Sequence, residues 1–393
     1  MKAAVLHRAR TPLTIEDIDL SPLHPGDVLV RVQAAGVCHS DLHYINGDLT
    51  AKLPAVLGHE GAGIVEAVGP GVTRVQPGDT VVTMWRPRCG ECEYCLTGRP
   101  ALCQLGRVHA ATGGLIDGTS RLSLHGNPVH HLMGVSCFAE QCVVSERSVI
   151  PIDPGVAPEI SAIAGCAVVT GVGAALNHMS GATGEPVVVI GAGGVGLSAI
   201  MGLALLGAHP IIAVDTVDAR LELAMSVGAT HGVNPTVVTD TEAEIVRACG
   251  RAPRWALDAV GAAATLRQAV DVVATGGTVV AVGLGRVGAT VEVPINPLVQ
   301  QEKTLIGSLY GSANTPLQIP AILRLYQAGK LPLARLLGRT YELGEINDAY
   351  HAMANGAVGR AVIRMPEPAH DHALGSAPRF SDISLAPSST SST

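Results

Sequence analysis

Aromatic side chains and charge are both scarce in this chain of 393 residues. Phe, Trp and Tyr make up 3% of the residues, and charged residues make up 15%. The 26 Lys and Arg against 33 Asp and Glu leave a formal net charge of −7, so no basic excess could neutralise nucleic-acid phosphates. The composition therefore argues against nucleic acid as a partner. With 47% hydrophobic residues, the chain is long enough for two globular domains of about 150 residues or more each.

The chain also lacks two kinds of apolar segment. Its first residues, MKAAVLHRARTPLTIED, contain no long apolar run with a secretory cleavage site, and no run of about 18 apolar residues is free of polar and turn residues. We therefore expect a cytoplasmic protein that has no membrane partner and keeps its nine cysteines reduced. Clustered cysteines in a reducing compartment indicate metal binding or catalysis.

Two patterns of apolar residues divide the chain. Up to about residue 150, short β segments alternate with Gly and Pro, which predicts a β-rich first domain. A helix is predicted over 316–328, and a last strand over 361–365 that returns to the first domain. Between these parts, apolar strands alternate with helix-length segments, which predicts a doubly wound parallel sheet with strands at 187–190, 211–214, 231–234, 255–258, 278–282 and 304–306. The fold class is α/β.

A glycine-rich turn, GAGGVG at 191–196, follows the first of these strands. It matches the G-x-G-x-x-G pattern in the strand–turn–helix context that the pattern requires. Gly191 permits the tight turn, Gly193 lets the backbone approach a pyrophosphate, and Gly196 lets the helix pack on the strand. Asp215 ends the second strand, where a carboxylate binds ribose hydroxyls and repels a 2′-phosphate. The sequence therefore favours an NAD site over a merely structural glycine-rich turn.

Four cysteines lie in one short segment, at Cys89, Cys92, Cys95 and Cys103. Four thiolates complete a tetrahedral zinc shell, so a site of this kind stabilises a loop and leaves no position for substrate. The spacing alone leaves two alternatives open, redox-active cysteines and an iron–sulfur cluster.

A second set of metal-ligand types is more dispersed. Cys38 is followed by polar residues, and His59 and Glu60 lie between glycines. Two cysteines, one histidine and a water form the pattern of a catalytic zinc site with one position left for substrate. Each residue alone is equally consistent with a packing role. Spacing does not select the second cysteine from the remaining candidates Cys137, Cys142, Cys166 and Cys249.

Together, these motifs resemble the zinc-dependent medium-chain alcohol dehydrogenases, from residue 1 to about 365. The resemblance implies two Zn²⁺ per subunit: a catalytic ion held by Cys38, His59 and Cys166, with Glu60 as a transient ligand, and a structural ion in the four-cysteine loop. It also implies a GroES-like catalytic domain over 1–167 and 311–365, with an NAD-binding Rossmann domain over 168–310 inserted between them. The remaining residues, 366–393, are rich in Ser and Pro and are expected to be a disordered tail.

The resemblance assigns roles to further residues. Ser40 and His43 would form a proton relay, and Asp41 would orient His59. In such enzymes the zinc activates the alcohol and the nicotinamide ring accepts the hydride. The residues expected to contact NAD are His39, Thr170, Gly191, Gly193, Gly194, Val195, Gly196, Asp215, Arg220 and Arg360.

The segment after Cys103 resembles the long-insert form of the family, found in animal-type and glutathione-dependent enzymes. Arg107 falls where the glutathione-dependent formaldehyde dehydrogenases bind an anion, although the acidic residue that accompanies it there is Leu49 here. The resemblance also suggests which residues line the substrate pocket, and together they would form an apolar slot. These residues are Ser40, Leu49, Trp85, Val108, Leu132, Met133 and Leu284.

Three functional hypotheses follow. The leading one is hydride transfer between NAD and a primary alcohol or aldehyde of medium-chain, aromatic or terpenoid-like structure. The alternatives are a formaldehyde dehydrogenase that depends on a thiol adduct, and a non-catalytic protein that responds to NAD. The family forms dimers and tetramers, and the strand at 304–306 lies where Rossmann domains pair, so we expect a homodimer or homotetramer.

Overall fold

A computed structural model describes residues 1–366 of the chain. The tail expected over 366–393 lies outside the described residues, apart from its first residue. The described strands form three sheets, two that are mixed and one that is fully parallel. Because the parallel sheet and the mixed sheets come from different stretches of sequence, the chain has the two-part α/β architecture that the apolar patterns predict.

The parallel sheet is the Rossmann-like part of the fold. Its strands are mostly short runs of Val, Ile and Ala, and all four residues of Val187–Ile190 are buried. Neighbouring helices cover it, namely Gly194–Leu205, Asp218–Ser226, Thr241–Cys249 and Ala263–Val272. In spatial order the strands are His231–Val233, Ile211–Val214, Val187–Ile190, Trp255–Asp258, Thr278–Ala281 and Thr304–Gly307. The six predicted strands are therefore confirmed, with ends that differ by at most one residue.

The larger mixed sheet uses both ends of the described chain. Its central strand, Asp27–Gly36, pairs antiparallel with Gly61–Val68, Gln141–Ser145 and Arg360–Arg364. The other members are Thr80–Thr83, Val149–Pro151 and Leu337–Glu342. The last described strand thus completes a sheet whose first strand in the chain is Asp27–Gly36. The smaller mixed sheet contains Lys2–Leu6, Thr14–Asp17, Asp19–Leu20, Ala55–Val56, Leu122–Leu124 and Asn127–His131.

Several helices connect and cover these sheets. The predicted helix near the C-terminal end is present over Thr315–Gln327. The remaining helices outside the parallel sheet were not predicted from the sequence, because they are short or contain glycine. They are His39–Asn46, Glu93–Leu96, Leu105–Thr112, Pro158–Ile163, Val169–His178, Ile295–Gln300 and Ile346–Ala354.

One helical run, Pro158–His178, is long and apolar enough to cross a membrane by length and composition. However, 94% of its most apolar window is buried inside the protein. Its glycines permit close packing, because a Cβ at Gly171 would collide with the backbone carbonyl of Val195 on the neighbouring helix. The run is therefore a core helix that packs tightly against the glycine-loop helix.

Candidate active site and cofactor groove

Four side chains of metal-ligand type converge in a buried cluster. The ligand atoms of Cys38, His59, Glu60 and Cys166 all lie within 4.8 Å of one another, and all four residues are buried. Two sulfurs, an imidazole nitrogen and a carboxylate oxygen form a donor set that suits Zn²⁺. The residues present therefore fit a catalytic zinc ion, and the structure brings together the three predicted ligands and Glu60.

Local structure presents each member of this cluster. Cys38 is the N-cap of the helix His39–Asn46, and its sulfur accepts a hydrogen bond from the Ser40 amide at 3.4 Å. His59 and Glu60 immediately precede the strand Gly61–Val68. Cys166 lies in a π-helical turn over Ala164–Val168, which interrupts the core helical run. Turns of this type are frequent at functional sites because the extra residue turns one side chain out of the helical register.

Within the cluster, the surroundings of Cys38 favour its thiolate form. A hydrogen bond from the Cys166 thiol lowers the pKa of Cys38 well below its usual value, and Arg360 and His59 add to this effect although burial opposes it. The same hydrogen bond, together with burial, raises the pKa of Cys166 well above its usual value. Burial works against charge on His59, but Asp41 and Cys38 hold its pKa well above the usual range. Cys38 is therefore the cysteine of the cluster that most readily forms the thiolate that binds a metal ion.

The buried carboxylate of Asp41 holds His59 in place. Its Oδ1 lies 3.2 Å from Nδ1 of His59 and accepts a hydrogen bond from the Gly58 amide at 3.1 Å. A carboxylate in this position fixes the tautomer and orientation of the imidazole and leaves Nε2 for the metal.

Arg360 and Glu60 form a buried ion pair behind the cluster. Nε of Arg360 donates to Oε2 of Glu60 at 3.1 Å, and a second N–H of the guanidinium pairs with Oε1. Burial raises the pKa of Glu60, although Arg360 opposes that shift. Both side chains are almost fully buried, with exposed fractions of 7% and 0%. The pair therefore connects the last strand of the described chain to the buried cluster of metal-ligand residues.

The four-cysteine segment is a second cluster, in which the ligand atoms of Cys89, Cys92, Cys95 and Cys103 also lie within 4.8 Å of one another. Hydrogen bonds from the backbone amides of Gln104 and Cys95 lower the pKa of Cys92 to about 6. Four sulfurs at these separations fit a closed zinc site. The remaining cysteines, Cys137, Cys142 and Cys249, belong to neither of the metal-ligand groups found in residues 1–366.

The glycine-rich turn has the backbone geometry that a dinucleotide requires. Gly191 has a φ of +93°, in the left-handed region that glycine favours. A Cβ at Gly196 would collide with the Gly191 carbonyl oxygen, whereas a Cβ at Gly193 would meet nothing within 4 Å among the described residues. The helix begins at Gly194, and Gly193 is its N-cap. The loop therefore leaves space for a pyrophosphate at a helix N-terminus.

Residues predicted to contact NAD line one groove beside this turn. His39, Gly193, Gly194, Arg220 and Arg360 all contribute to its wall. The other predicted residues are not among those that line it in the described part of the chain, and they are Thr170, Gly191, Val195, Gly196 and Asp215. Thr170 is buried on the helix Val169–His178, and Val195 is half-buried in the first turn after the glycines.

Asp215 is oriented by the glycine turn itself. Its Oδ2 accepts a hydrogen bond from the Ala192 amide at 2.8 Å, and its Oδ1 accepts one from the Val217 amide at 3.0 Å. Arg220 lies 3.9 Å from the same carboxylate. The acid is therefore held at the end of the second strand, beside the turn, where the sequence places it.

The two residues predicted to form a proton relay lie on one helix. Ser40 is in the first turn and is half-buried, and His43 follows one turn later. Nδ1 of His43 lies 3.0 Å from Oδ2 of Asp48. Asp48 therefore fixes the orientation of the imidazole, a contact that the sequence analysis missed because Asp48 lies beyond the end of the helix.

Comparison with known proteins places this geometry in a family. Residues 24–154 match the model of the alcohol dehydrogenase GroES-like domain, and residues 194–328 match that of the zinc-binding dehydrogenase. An NDMA-dependent alcohol dehydrogenase from Amycolatopsis methanolica is 40% identical over 367 residues, which cover 92% of this chain and 98% of the relative. The chain belongs to the zinc-dependent medium-chain alcohol dehydrogenase family. It is an oxidoreductase, and not the non-catalytic binding protein considered above.

Other relatives of this alcohol dehydrogenase differ in their named substrates. An S-(hydroxymethyl)glutathione dehydrogenase from Photobacterium damsela subsp. piscicida is 36% identical, over 92% of this chain and 99% of its own. The crystal structure of benzyl alcohol dehydrogenase from Acinetobacter calcoaceticus superposes with a TM-score of 0.86 at 34% identity, over 93% of this chain and 99% of that one. The relatives thus include both substrate classes that the sequence analysis considered.

The candidate substrate cavity of this alcohol dehydrogenase lies beside Trp85 and has a volume of about 110 Å³. Trp85, Leu132 and Met133 line it, as predicted from the resemblance. The structure does not bring the other predicted pocket residues to its wall within residues 1–366. Of these, Arg107 is exposed, Leu49 and Val108 are half-buried, and Leu284 lines a separate groove.

The cavity is also more polar than the apolar slot that the sequence predicts. Its wall includes Tyr44, Lys52, Arg86, His109 and His131. Sequence reasoning missed these residues because they come from separate loops and helices, and their convergence depends on the fold. The one available signal was Arg86, which immediately follows Trp85 in the chain.

Proposed function

We propose that this enzyme oxidises primary alcohols to aldehydes with NAD, using one catalytic and one structural zinc ion. The arrangement of the buried cluster carries this proposal. His59 of the cluster contacts Trp85, which lines the cavity, and Glu60 of the cluster pairs with Arg360, which lines the groove beside the glycine turn. An alcohol in the cavity and a dinucleotide in the groove would therefore approach the same cluster from two sides.

When bound, zinc supplies Lewis-acid activation of the hydroxyl group and NAD⁺ accepts the hydride. The residues of the chain have the remaining tasks. Cys38, His59 and Cys166 hold the metal, and Asp41 keeps His59 oriented. The reaction removes a hydride and a proton from the alcohol and yields the aldehyde, NADH and H⁺.

We assign movement of the proton to Ser40 and His43. The Ser40 hydroxyl lies two residues after a metal ligand and could accept the hydroxyl proton. His43 is less buried, and its side chain has an exposed fraction of 27%. Because Asp48 engages Nδ1 of His43, Nε2 of the ring is left to accept the proton and release it to solvent.

The cofactor assignment rests on the glycine turn and Asp215. We propose that the adenosine ribose binds Asp215, with Arg220 on the same side, and that the pyrophosphate lies against Gly193 and Gly194, close to His39 and Arg360. Gly191, Val195 and Gly196 shape the turn, and we assign Thr170 of the helix Val169–His178 a contact with the cofactor. A carboxylate at this position favours NAD over NADP because it repels a 2′-phosphate.

We further propose the domain boundaries given above, 1–167 with 311–365 for the catalytic domain and 168–310 for the cofactor domain. The edge strand Thr304–Gly307 exposes Leu305, and the preceding helix exposes Ile295 and Val299. These apolar residues support a homodimer or homotetramer formed through this edge. A cytoplasmic location suits two cysteine clusters that need reduced thiols.

The proposal is tested with purified protein and a panel of aliphatic, benzylic and terpenoid alcohols. Each alcohol is assayed for NADH formation, and again with an added artificial electron acceptor, because a relative is NDMA-dependent by name. Zinc content and oligomeric state are measured on the same sample. Turnover that depends on alcohol and zinc is expected. A zinc-loaded protein that turns over none of the alcohols under either condition would overturn the proposal.

A second candidate is oxidation of formaldehyde as its thiol adduct. Two observations favour it, the 36% identity to an S-(hydroxymethyl)glutathione dehydrogenase and the exposed Arg107 on the helix Leu105–Thr112. Formaldehyde oxidation that requires added thiol would support this candidate. Good turnover of free alcohols, with no effect of thiol on formaldehyde oxidation, would exclude it.

A further inference from the structure

The wall of the cavity beside Trp85 carries polar groups that neither the metal cluster nor the proton relay uses. Trp85 itself separates the cluster from these groups. Its ring centroid lies 6.3 Å from that of His59, edge to face, and the guanidinium carbon of Arg86 lies 5.2 Å from the centroid of the indole. A substrate whose hydroxyl group is at the cluster would therefore pass Trp85 and reach Arg86 with its far end.

His109 faces this cavity with no hydrogen-bond partner. Its exposed fraction is 4%, and the backbone of Met133 lies close to the ring, but neither ring nitrogen has a hydrogen bond of normal geometry within residues 1–366. Burial lowers the pKa of His109 to about 4, although the nearby Met133 carbonyl opposes this shift. The ring is therefore neutral at pH 7 and offers one donor and one acceptor. Buried polar groups nearly always have partners, so an unpaired pair of nitrogens on a cavity wall indicates a ligand.

Two further donors on the same wall are also unpaired. Nε of Arg86 and Nε1 of Trp85 are buried and have no hydrogen-bond partner among the described residues. Glycines create the space that these side chains occupy. A Cβ at Gly106 would collide with the Arg86 guanidinium, and a Cβ at Gly134 would lie 2.6 Å from both ring nitrogens of His109. The backbone is thus shaped around these two side chains.

The charge of the wall is positive. Arg86 and the exposed Lys52 line the cavity, and no Asp or Glu is among the lining residues within the described part of the chain. Burial lowers the pKa of Arg86, and Arg107 on the neighbouring helix adds to this shift, although Tyr44 and Cys103 oppose it. A half-buried guanidinium that has no carboxylate partner within the described residues favours a ligand that supplies an anion.

We propose that Arg86 and His109 form a subsite for a carboxylate at the far end of the substrate. The preferred alcohols would then carry a carboxylate separated from the reacting hydroxyl group by roughly the width of one aromatic ring. This inference rests on the proposed function, because it concerns which alcohol that same site accepts. The guanidinium would make a charge-assisted hydrogen bond to the carboxylate, and the His109 N–H would donate a second one.

The test compares two alcohols of similar shape, 4-(hydroxymethyl)benzoate and 4-methylbenzyl alcohol. The wild-type enzyme is expected to give the higher kcat/KM with the carboxylate. The Arg86→Leu variant should lower kcat/KM for the carboxylate by about 30-fold, which is typical of losing a charged hydrogen bond. It should leave the value for 4-methylbenzyl alcohol within about threefold. The control is Arg74→Leu, which replaces an exposed arginine of the same part of the chain and should change neither value.

His109 supplies a second pair of variants in case Arg86→Leu does not fold. His109→Phe removes both nitrogens and His109→Gln keeps a donor. The Phe variant should lose several-fold in kcat/KM for the carboxylate, and the Gln variant should retain most of it. Equal preference for both alcohols in the wild type, or equal losses for both alcohols in Arg86→Leu, would overturn the inference. If the wild type oxidises alcohols of the panel but neither of these two, the inference also fails, whereas failure with every alcohol, with or without the artificial acceptor, would overturn the proposed function.

The carboxylate could belong to a free hydroxy acid or to a thiol adduct. A second arm therefore compares the formaldehyde adduct of glutathione, which carries carboxylates, with that of 2-mercaptoethanol, which does not. A preference for 4-(hydroxymethyl)benzoate identifies a free hydroxy acid, and a preference for the glutathione adduct identifies a thiol adduct. If neither carboxylate compound is preferred over its neutral counterpart, the subsite does not exist.

Discussion

The carboxylate of Asp41 lies 3.2 Å from Nδ1 of His59, and both side chains are almost completely buried, with exposed fractions of 0% and 1%. The same carboxylate accepts a hydrogen bond from the Gly58 amide. Asp41 therefore controls which nitrogen of His59 faces the two cysteines.

We predict that Asp41→Asn weakens the catalytic zinc site. An amide can offer its N–H or its oxygen to the ring, so the correct tautomer of His59 is no longer enforced. Loss of such a partner typically costs about 10- to 100-fold in metal affinity. Zinc content after stepwise chelation should fall to one ion per chain at a lower chelator concentration than in the wild type. Retention of two ions under the conditions in which the wild type keeps them would contradict the role given to Asp41.

Two substitutions in the glycine turn should have opposite consequences. Gly193→Ala adds a Cβ that meets nothing within 4 Å among the described residues, so the melting temperature should stay within about 2 °C of the wild type. The same Cβ points into the space proposed for the pyrophosphate, so the Kd for NAD should rise by about tenfold or more.

Gly196→Ala instead forces a Cβ into the Gly191 carbonyl oxygen. This collision separates the helix from the strand, and the melting temperature should fall by several degrees even without cofactor. Calorimetry and NAD titration of both variants distinguish the two effects. Equal losses of thermal stability in both variants would show that the space beside Gly193 has no special relation to the cofactor.

The buried ion pair between Arg360 and Glu60 predicts a non-additive pair of substitutions. Arg360→Met leaves the Glu60 carboxylate buried without its partner, which typically costs about 3 to 5 kcal/mol. The double variant Arg360→Met, Glu60→Gln removes the stranded charge and should recover at least half of that loss. The free energies of unfolding in urea are measured for both variants, for Glu60→Gln and for the wild type. A double variant no more stable than Arg360→Met would mean that the arginine acts through other contacts.

The acid stability of the enzyme should depend on His131. Burial and the charge of Arg121 lower the pKa of His131 to about 3, and Nε2 accepts a hydrogen bond from the Arg121 amide at 3.2 Å. In the unfolded chain a histidine titrates near 6.5. Below that pH the unfolded state therefore binds a proton that the folded state does not, and the free energy of unfolding decreases as the pH falls from about 6.5 towards 3.

His131→Gln removes the imidazole that binds this proton in the unfolded state. Between pH 6 and 4, the slope of the unfolding free energy against pH should become shallower by up to about 1.4 kcal/mol per pH unit. Above pH 7.5 the imidazole is neutral in both states of the wild type, so the two curves should run parallel there. Parallel curves at all values of pH would contradict a neutral, buried His131.

The parallel sheet could be predicted closely from the sequence because its strands are short, continuous runs of apolar residues. Val187–Ile190, Ile211–Val214 and Trp255–Asp258 have the predicted ends. The helices His39–Asn46 and Leu105–Thr112 gave no comparable signal, since each has eight residues and little apolar periodicity. The core helical run was not predicted because its glycines disfavour a helix. These glycines are required because another helix packs closely against the run.

The site shows a similar division. The four-cysteine cluster could be predicted because its ligands are neighbours in sequence. Cys166 could be chosen over the other lone cysteines only through the resemblance to a family, since a π-helical turn that directs its side chain leaves no pattern in the sequence. Arg86, His109 and Tyr44 come from three separate segments, and only the folded chain shows that they share one cavity.

The return of the chain to its first sheet has a consequence for synthesis on the ribosome. Arg360 lies on the last strand, and it is the partner of Glu60 at a sequence separation of 300 residues. The active site therefore cannot be completed until nearly the whole described chain has been made, although the glycine turn and its parallel sheet can form earlier. A chain truncated before residue 360 would keep every cysteine and His59, yet it would lack both the closing strand and the charge that neutralises Glu60.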